Sequence, residues 1–113
     1  MKFTPRKLLF KAWNTETKLL MRLNNIECKK GELFRKDHIL LQFTGLYDKQ
    51  EEEIYEMDVI LIGSEKFIVI WDAVQNGWSL ATLSNTDLKS PFIKGSSKAA
   101  TRLCNYFESE MTN

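Results

Sequence analysis

A chain of 113 residues with two cysteines, one histidine and a formal net charge of +1 has few of the groups from which an activity is usually read. Cys28 and Cys104 are too few for a disulfide framework and lack the paired short spacing of zinc or redox motifs. Both are expected as reduced thiols, Cys104 acting as a small hydrophobe among apolar and aromatic neighbours. A dyad of His38, which follows Asp37, with Cys28 or Cys104 is the one nucleophilic arrangement available. Covalent catalysis needs the base within hydrogen-bond reach of the nucleophile, and nothing in the spacing recommends that here. Gly-rich phosphate loops, the Gly-x-Ser-x-Gly elbow and His-Glu-x-x-His are all missing. The expectation is a protein that is not an enzyme, with no catalytic residue, cofactor or metal.

Long apolar runs are also missing, and the opening "MKFTPRKLLFKAW" carries charge where a signal peptide would place its apolar block. No membrane partner is expected, and a reducing cytoplasm is the expected compartment. What the chain does have is core material: 43% hydrophobic residues, including seven Phe, three Trp and three Tyr. Its length suits one domain over residues 1–113, able to fold without staples.

The small net charge hides a gradient. Residues 1–36 hold ten Lys/Arg against three Asp/Glu, residues 37–58 hold one against seven, and residues 59–113 hold five of each. If the fold keeps these segments apart, the molecule has a basic and an acidic side, suited to nucleic acid or to head-to-tail self-contact; if it brings them together, they neutralise each other. Lys7, Lys11, Lys18, Arg22, Lys29, Lys30, Arg35 and Lys36 are the candidate surface for a protein partner or nucleic acid.

The apolar runs are short and β-prone. "RKLLFKAWN" and "KLLMRLN" joined by "TET" predict an N-terminal hairpin whose ladder starts after Pro5. Residues 25–38 read as a loop with room for a short strand, and "ILLQFTGL" as a buried strand ending near Gly45, which accepts a positive φ. Three β-rich runs follow, turned at Gly63-Ser64 and Asn76-Gly77, the pattern of a small barrel or sandwich. In the tail, Ala100, Leu103, Cys104, Phe107 and Met111 share one helical face, with Ser96 or Ser97 as N-cap, so a C-terminal helix is expected. Of Trp13, Trp71 and Trp78, at least two are expected in the core, and the last two face each other across a turn.

Between the strands lies "DKQEEE", Asp48 to Glu53. Like charges in a row repel least in water, so this reads as a solvated turn and not as a pair of catalytic carboxylates or a calcium loop. Asp58, after the next bend, is expected to accept hydrogen bonds from backbone N–H groups and hold the turn.

The blocks "LFKAWNTETKLLM", "LLQFTGLYDKQEEEIYEMDVI" and "FIVIWDAVQNGWSL", over roughly residues 9–80, resemble the YopX family of small phage, prophage and mobile-element proteins. The central block carries most of the likeness, through Thr44, Gly45, Asp48, Tyr55, Glu56 and Asp58, with Trp13 and Trp71 in the flanking blocks. The resemblance implies a mainly β domain around a small Src-homology-three-like barrel, working in a bacterial host cell. It implies no activity, because the family's function is unknown, and it leaves an interaction module or a nucleic-acid-binding barrel as the readings. Relatives usually have Asn-Gly at Gln50-Glu51 and Glu-Gly-Asp at Glu56-Met57-Asp58. Without glycine, the bend at Met57 is expected to be looser or of another type. The family ending also looks more like a strand than a helix at "LCNYFESE".

Overall fold

The N-terminal hairpin forms from β1 (Phe10–Asn14) and β2 (Leu20–Arg22), with Ala12 opposite Met21 and Trp13 opposite Leu20 in a computed structural model that describes residues 2–110. Asn14 makes the turn: its side-chain oxygen accepts the N–H groups of Glu16 at 2.9 Å and Thr17 at 3.1 Å. The segment after it holds a separate two-stranded ribbon, β3 (Glu27–Lys29) and β4 (Glu32–Phe34), turned at Lys30 and Gly31, both with positive φ.

The central strand of the first sheet is β5 (His38–Tyr47), and the sheet runs β2-β1-β5-β6, with β6 at Glu53–Tyr55. The strand does not end at Gly45. It bends there, at φ +86, and its register on β6 shifts between Phe43 and Tyr47. The Thr44 hydroxyl donates to the Ile54 carbonyl at 2.7 Å and accepts the Leu46 N–H at 3.1 Å, which staples the bulge on both sides.

β7 (Asp58–Ile62), β8 (Glu65–Asp72), β9 (Gly77–Thr82) and β10 (Lys89–Pro91) form an antiparallel meander turned at Gly63-Ser64 and before Gly77. α1 (Lys94–Lys98) then leads into β11 (Ala100–Asn105), which pairs with the other edge of β7, giving the order β10-β9-β8-β7-β11. The result is a mainly β, curled half-barrel, as expected. Ile54, Ile60, Val69, Leu80, Phe92 and Ala100 fill it, with Leu46, Ile62, Phe67 and Trp78 packed around them.

Two further expectations differ from the fold. The C-terminal helix exists, but it is α2, Tyr106–Glu110; Ala100 to Asn105 form a strand, and Met111 lies outside the described residues. The apolar spacing there also fits a bulged strand, with the register shifting between Arg102 and Cys104, and the ladder that β7 offers outweighs local helical periodicity. Ser96 and Ser97 do not cap this helix, since they lie inside α1. Asn105 and Glu108 do so reciprocally: Phe107 N–H donates to Asn105 Oδ1, and Asn105 N–H to Glu108 Oε1.

At the bend expected to avoid it, Met57 itself takes the left-handed backbone, at φ +68, as Glu51 does at φ +64. Three backbone bonds fix the bend, from Glu56 N–H to the Gln42 carbonyl at 2.9 Å, Met57 N–H to that of Val69 at 2.7 Å and Tyr106 N–H to that of Met57 at 2.7 Å. With both sheets pinned to it, the backbone holds the left-handed conformation that glycine would adopt more readily.

Candidate functional site

The acid corner is solvated only in part. Glu51 and Glu52 are exposed, but Asp48 is buried. Its Oδ1 accepts Gln50 N–H at 2.8 Å and Glu52 N–H at 2.9 Å, while Oδ2 accepts Arg102 N–H at 2.8 Å, so one carboxylate closes the turn and fastens it to β11. Burial pushes its pKa upward, but these three donors and the Arg102 charge outweigh burial and hold it below the ordinary value. Glu53 instead pairs with the Arg22 guanidinium and accepts the Tyr55 hydroxyl at 3.0 Å.

Asp58 holds its bend as expected, with Oδ2 accepting Tyr55 N–H at 2.8 Å, and it does more. The fully buried carboxylate also receives Arg102 Nε at 2.9 Å and Asn105 Nδ2 at 3.1 Å, and Asn105 donates to the Glu56 carbonyl as well. Arg102 and Asn105 were not legible as partners in the sequence, because a charge in a short tail gives no sign of the element it will cross. Glu56 itself is half-buried. Desolvation raises its pKa, and the Gln42 N–H opposes that only weakly, at 3.4 Å.

The basic residues of the N-terminal third divide. Lys11 and Arg22 sit opposite each other on β1 and β2 and line a cleft of about 250 Å³ with Glu52, Glu53 and Arg102, where opposite charges meet. The Lys11 ammonium lies 4.5 Å from the Tyr55 ring centroid, and burial, then the Arg102 charge, lowers its pKa. Lys29 and Lys30 belong to the separate ribbon, Lys18 to the β1–β2 turn, Arg35 and Lys36 to the approach to β5, and Lys7 to the segment before β1.

His38 Nδ1 lies 2.6 Å from the Lys36 carbonyl oxygen, while Cys28 is exposed and Cys104 half-buried. Burial raises the Cys104 thiol's pKa, with Glu108 adding to the effect, the reverse of what an activated nucleophile requires.

Two further surfaces stand out. A groove of about 790 Å³ runs between the end of β5 and α1, with Tyr47, Lys49 and Glu51 on one side and Lys94 and Lys98 on the other. At the β8–β9 turn, Trp71 and Trp78 are cross-strand partners in an edge-to-face pair with centroids 5.1 Å apart. Trp78 packs on the core while Trp71 stays 45% exposed, and Val74 projects from the turn between them. Trp13 is buried and stacks on Phe107 at 5.6 Å, so two of the three tryptophans do serve the core.

The chain shares its fold with the solved structure "protein EF1440 from Enterococcus faecalis": the TM-score is 0.67 at 15% identity, covering 96% of this chain and 99% of that one. No curated protein matches the sequence. The family model described as YopX protein matches residues 8–99, which include the Thr44-Gly45 bulge, the Asp48 turn and the Asp58 bend, and the chain belongs to the YopX family.

Proposed function

We propose that this protein is a non-enzymatic interaction module, carried by a phage or an integrated mobile element. It works in the bacterial cytoplasm and docks a protein partner or a second copy of itself through the corner at Trp71. The carrying observation is the aromatic pair: Trp71 is 45% exposed, yet it is held edge-on against a tryptophan anchored in the core. A large ring presented rigidly, at little further entropy cost on binding, is the kind of residue that dominates protein interfaces. Family membership supports the mobile-element setting. The buried carboxylates support a structural framework, since Asp48 and Asp58 already spend their oxygens on backbone N–H groups, Arg102 and Asn105.

The test compares wild type with Trp71→Ala in pull-down from host and phage lysates and in sedimentation, at about 0.5 M salt so that phosphate contacts are screened. A protein retained by wild type, or a dimer formed by it, and lost in Trp71→Ala supports the proposal. Retention of nucleic acid alone, disappearing as salt rises, overturns it, as does protein capture that Trp71→Ala leaves unchanged.

A further inference from the structure

The groove between the end of β5 and α1 differs in character from the Trp71 corner. Lys94 and Lys98, four apart on α1, share a helix face, and Lys49 stands on the β5–β6 turn across from them. Among the described residues none of these three lysines forms an ion pair, whereas Arg22 and Arg102 do. Of the two acids beside them, Asp48 is buried and bound to three backbone N–H groups, so Glu51 on the rim is the single exposed countercharge in the lining. Tyr47 is 40% exposed and fixed edge-to-face on Phe43 at 5.4 Å, which leaves an oriented aromatic surface at the groove.

We infer that this groove binds single-stranded nucleic acid, with Lys49, Lys94 and Lys98 on successive phosphates and Tyr47 as the platform for a base. The lysines come from two separate elements, the β5–β6 turn and α1, an arrangement that suits a chain of phosphates better than one small anion. An acidic peptide would meet the charge requirement but leave the Tyr47 ring without a use. The lining has no Arg, Asn or Gln side chain to read base edges, so stacking and charge set the affinity and sequence matters little.

The probe is a fluorescein-labelled oligothymidylate of about twelve nucleotides, within the usual site size for such grooves, titrated by anisotropy across salt concentrations. Three phosphate contacts give a slope of log K against log salt near −2, at about −0.7 per contact. Lys94→Gln/Lys98→Gln is expected to bring the slope to about −0.7, while Lys29→Gln/Lys30→Gln leaves it unchanged. Tyr47→Leu is expected to weaken binding roughly 5- to 100-fold without changing the slope, from loss of base stacking. Tryptophan fluorescence confirms that each variant is folded. The inference is overturned by no anisotropy change at low salt, by loss that follows the Lys29/Lys30 pair, or by polyglutamate competition equal to that of unlabelled oligothymidylate together with an inert Tyr47→Leu. The Trp71→Ala variant retains oligothymidylate binding, which separates this site from the protein-docking corner.

Discussion

Arg102 reaches back across 44 residues of chain to place Nε 2.9 Å from Asp58 Oδ2, joining the last strand to the bend between β6 and β7. The Asp58 side chain is fully buried and that of Arg102 only 18% exposed, so neither charge is offset by water once its partner is gone. Removing one member of such a pair costs about 3–5 kcal/mol, a large part of the stability of a domain this size. Asp58→Asn and Arg102→Met are each expected to lower the urea midpoint sharply. The double variant is expected to cost less than the two singles together, with a coupling above about 1 kcal/mol. Additive costs would mean that the two side chains do not interact in solution.

Asp48 makes the acid limb of stability steep. Its pKa is lower folded than unfolded, because burial is outweighed by three backbone donors and the Arg102 charge. A carboxylate of this kind contributes stability that is complete above its unfolded pKa, near 3.8, and is lost as pH falls from there through the folded value. Asp48→Asn therefore costs most at neutral pH, and its deficit relative to wild type shrinks below about pH 4. Chemical denaturation at a series of pH values checks this; a deficit that does not change between pH 7 and pH 3 would refute the role given to ionised Asp48.

These two carboxylates also mark where the sequence stopped being informative. Most strands, the hairpin and turns such as Gly63-Ser64 and Asn76-Gly77 are written locally, in alternation and in turn residues, and they were legible, whereas the bulge that carries β5 on past Gly45 was not. The bend-holding role of Asp58 was legible for the same reason, since Tyr55 is three residues away. Burial of Asp48, the Arg102 and Asn105 partnerships and the strand at Ala100–Asn105 depend on β11 returning to β7, a pairing across 38 to 47 residues that no local pattern encodes. The groove lysines were hidden likewise: Lys49 sits in an acid-rich run and Lys94 and Lys98 in a charge-balanced stretch, so only the fold puts them together.

Glu56 acts in the opposite sense to Asp48. Burial raises its pKa in the folded protein, and the long bond from Gln42 N–H compensates little. For an acid with a raised folded pKa, ionisation at neutral pH opposes folding, and the penalty fades as pH falls toward the ordinary glutamate value of 4.5. Glu56→Gln keeps an oxygen for Gln42 and removes the charge. It is expected to unfold at a higher urea concentration than wild type at pH 7 and to match it near pH 4. A variant less stable than wild type at pH 7 would show that the carboxylate has a stabilising partner in solution.

Glu51 and Met57 hold left-handed backbone, which glycine adopts at far less cost, so both sites are open to stabilisation. Left-handed geometry costs an ordinary residue about 1–2 kcal/mol, and glycine gives back about 0.5–1 kcal/mol through unfolded-state entropy. At exposed Glu51, Glu51→Gly and Glu51→Ala remove the same charge, and they differ chiefly in whether the strain at φ +64 is relieved. Thermal unfolding is expected to place the glycine variant above the alanine variant by roughly 0.5–1 kcal/mol. Met57 is half-buried, so Met57→Gly relieves the same strain but exposes core-facing surface, and its gain is smaller than that of Glu51→Gly. Equal stability of the Glu51→Gly and Glu51→Ala variants would show that the turn relaxes out of the left-handed region and that the backbone bonds around Asp48 do not enforce it.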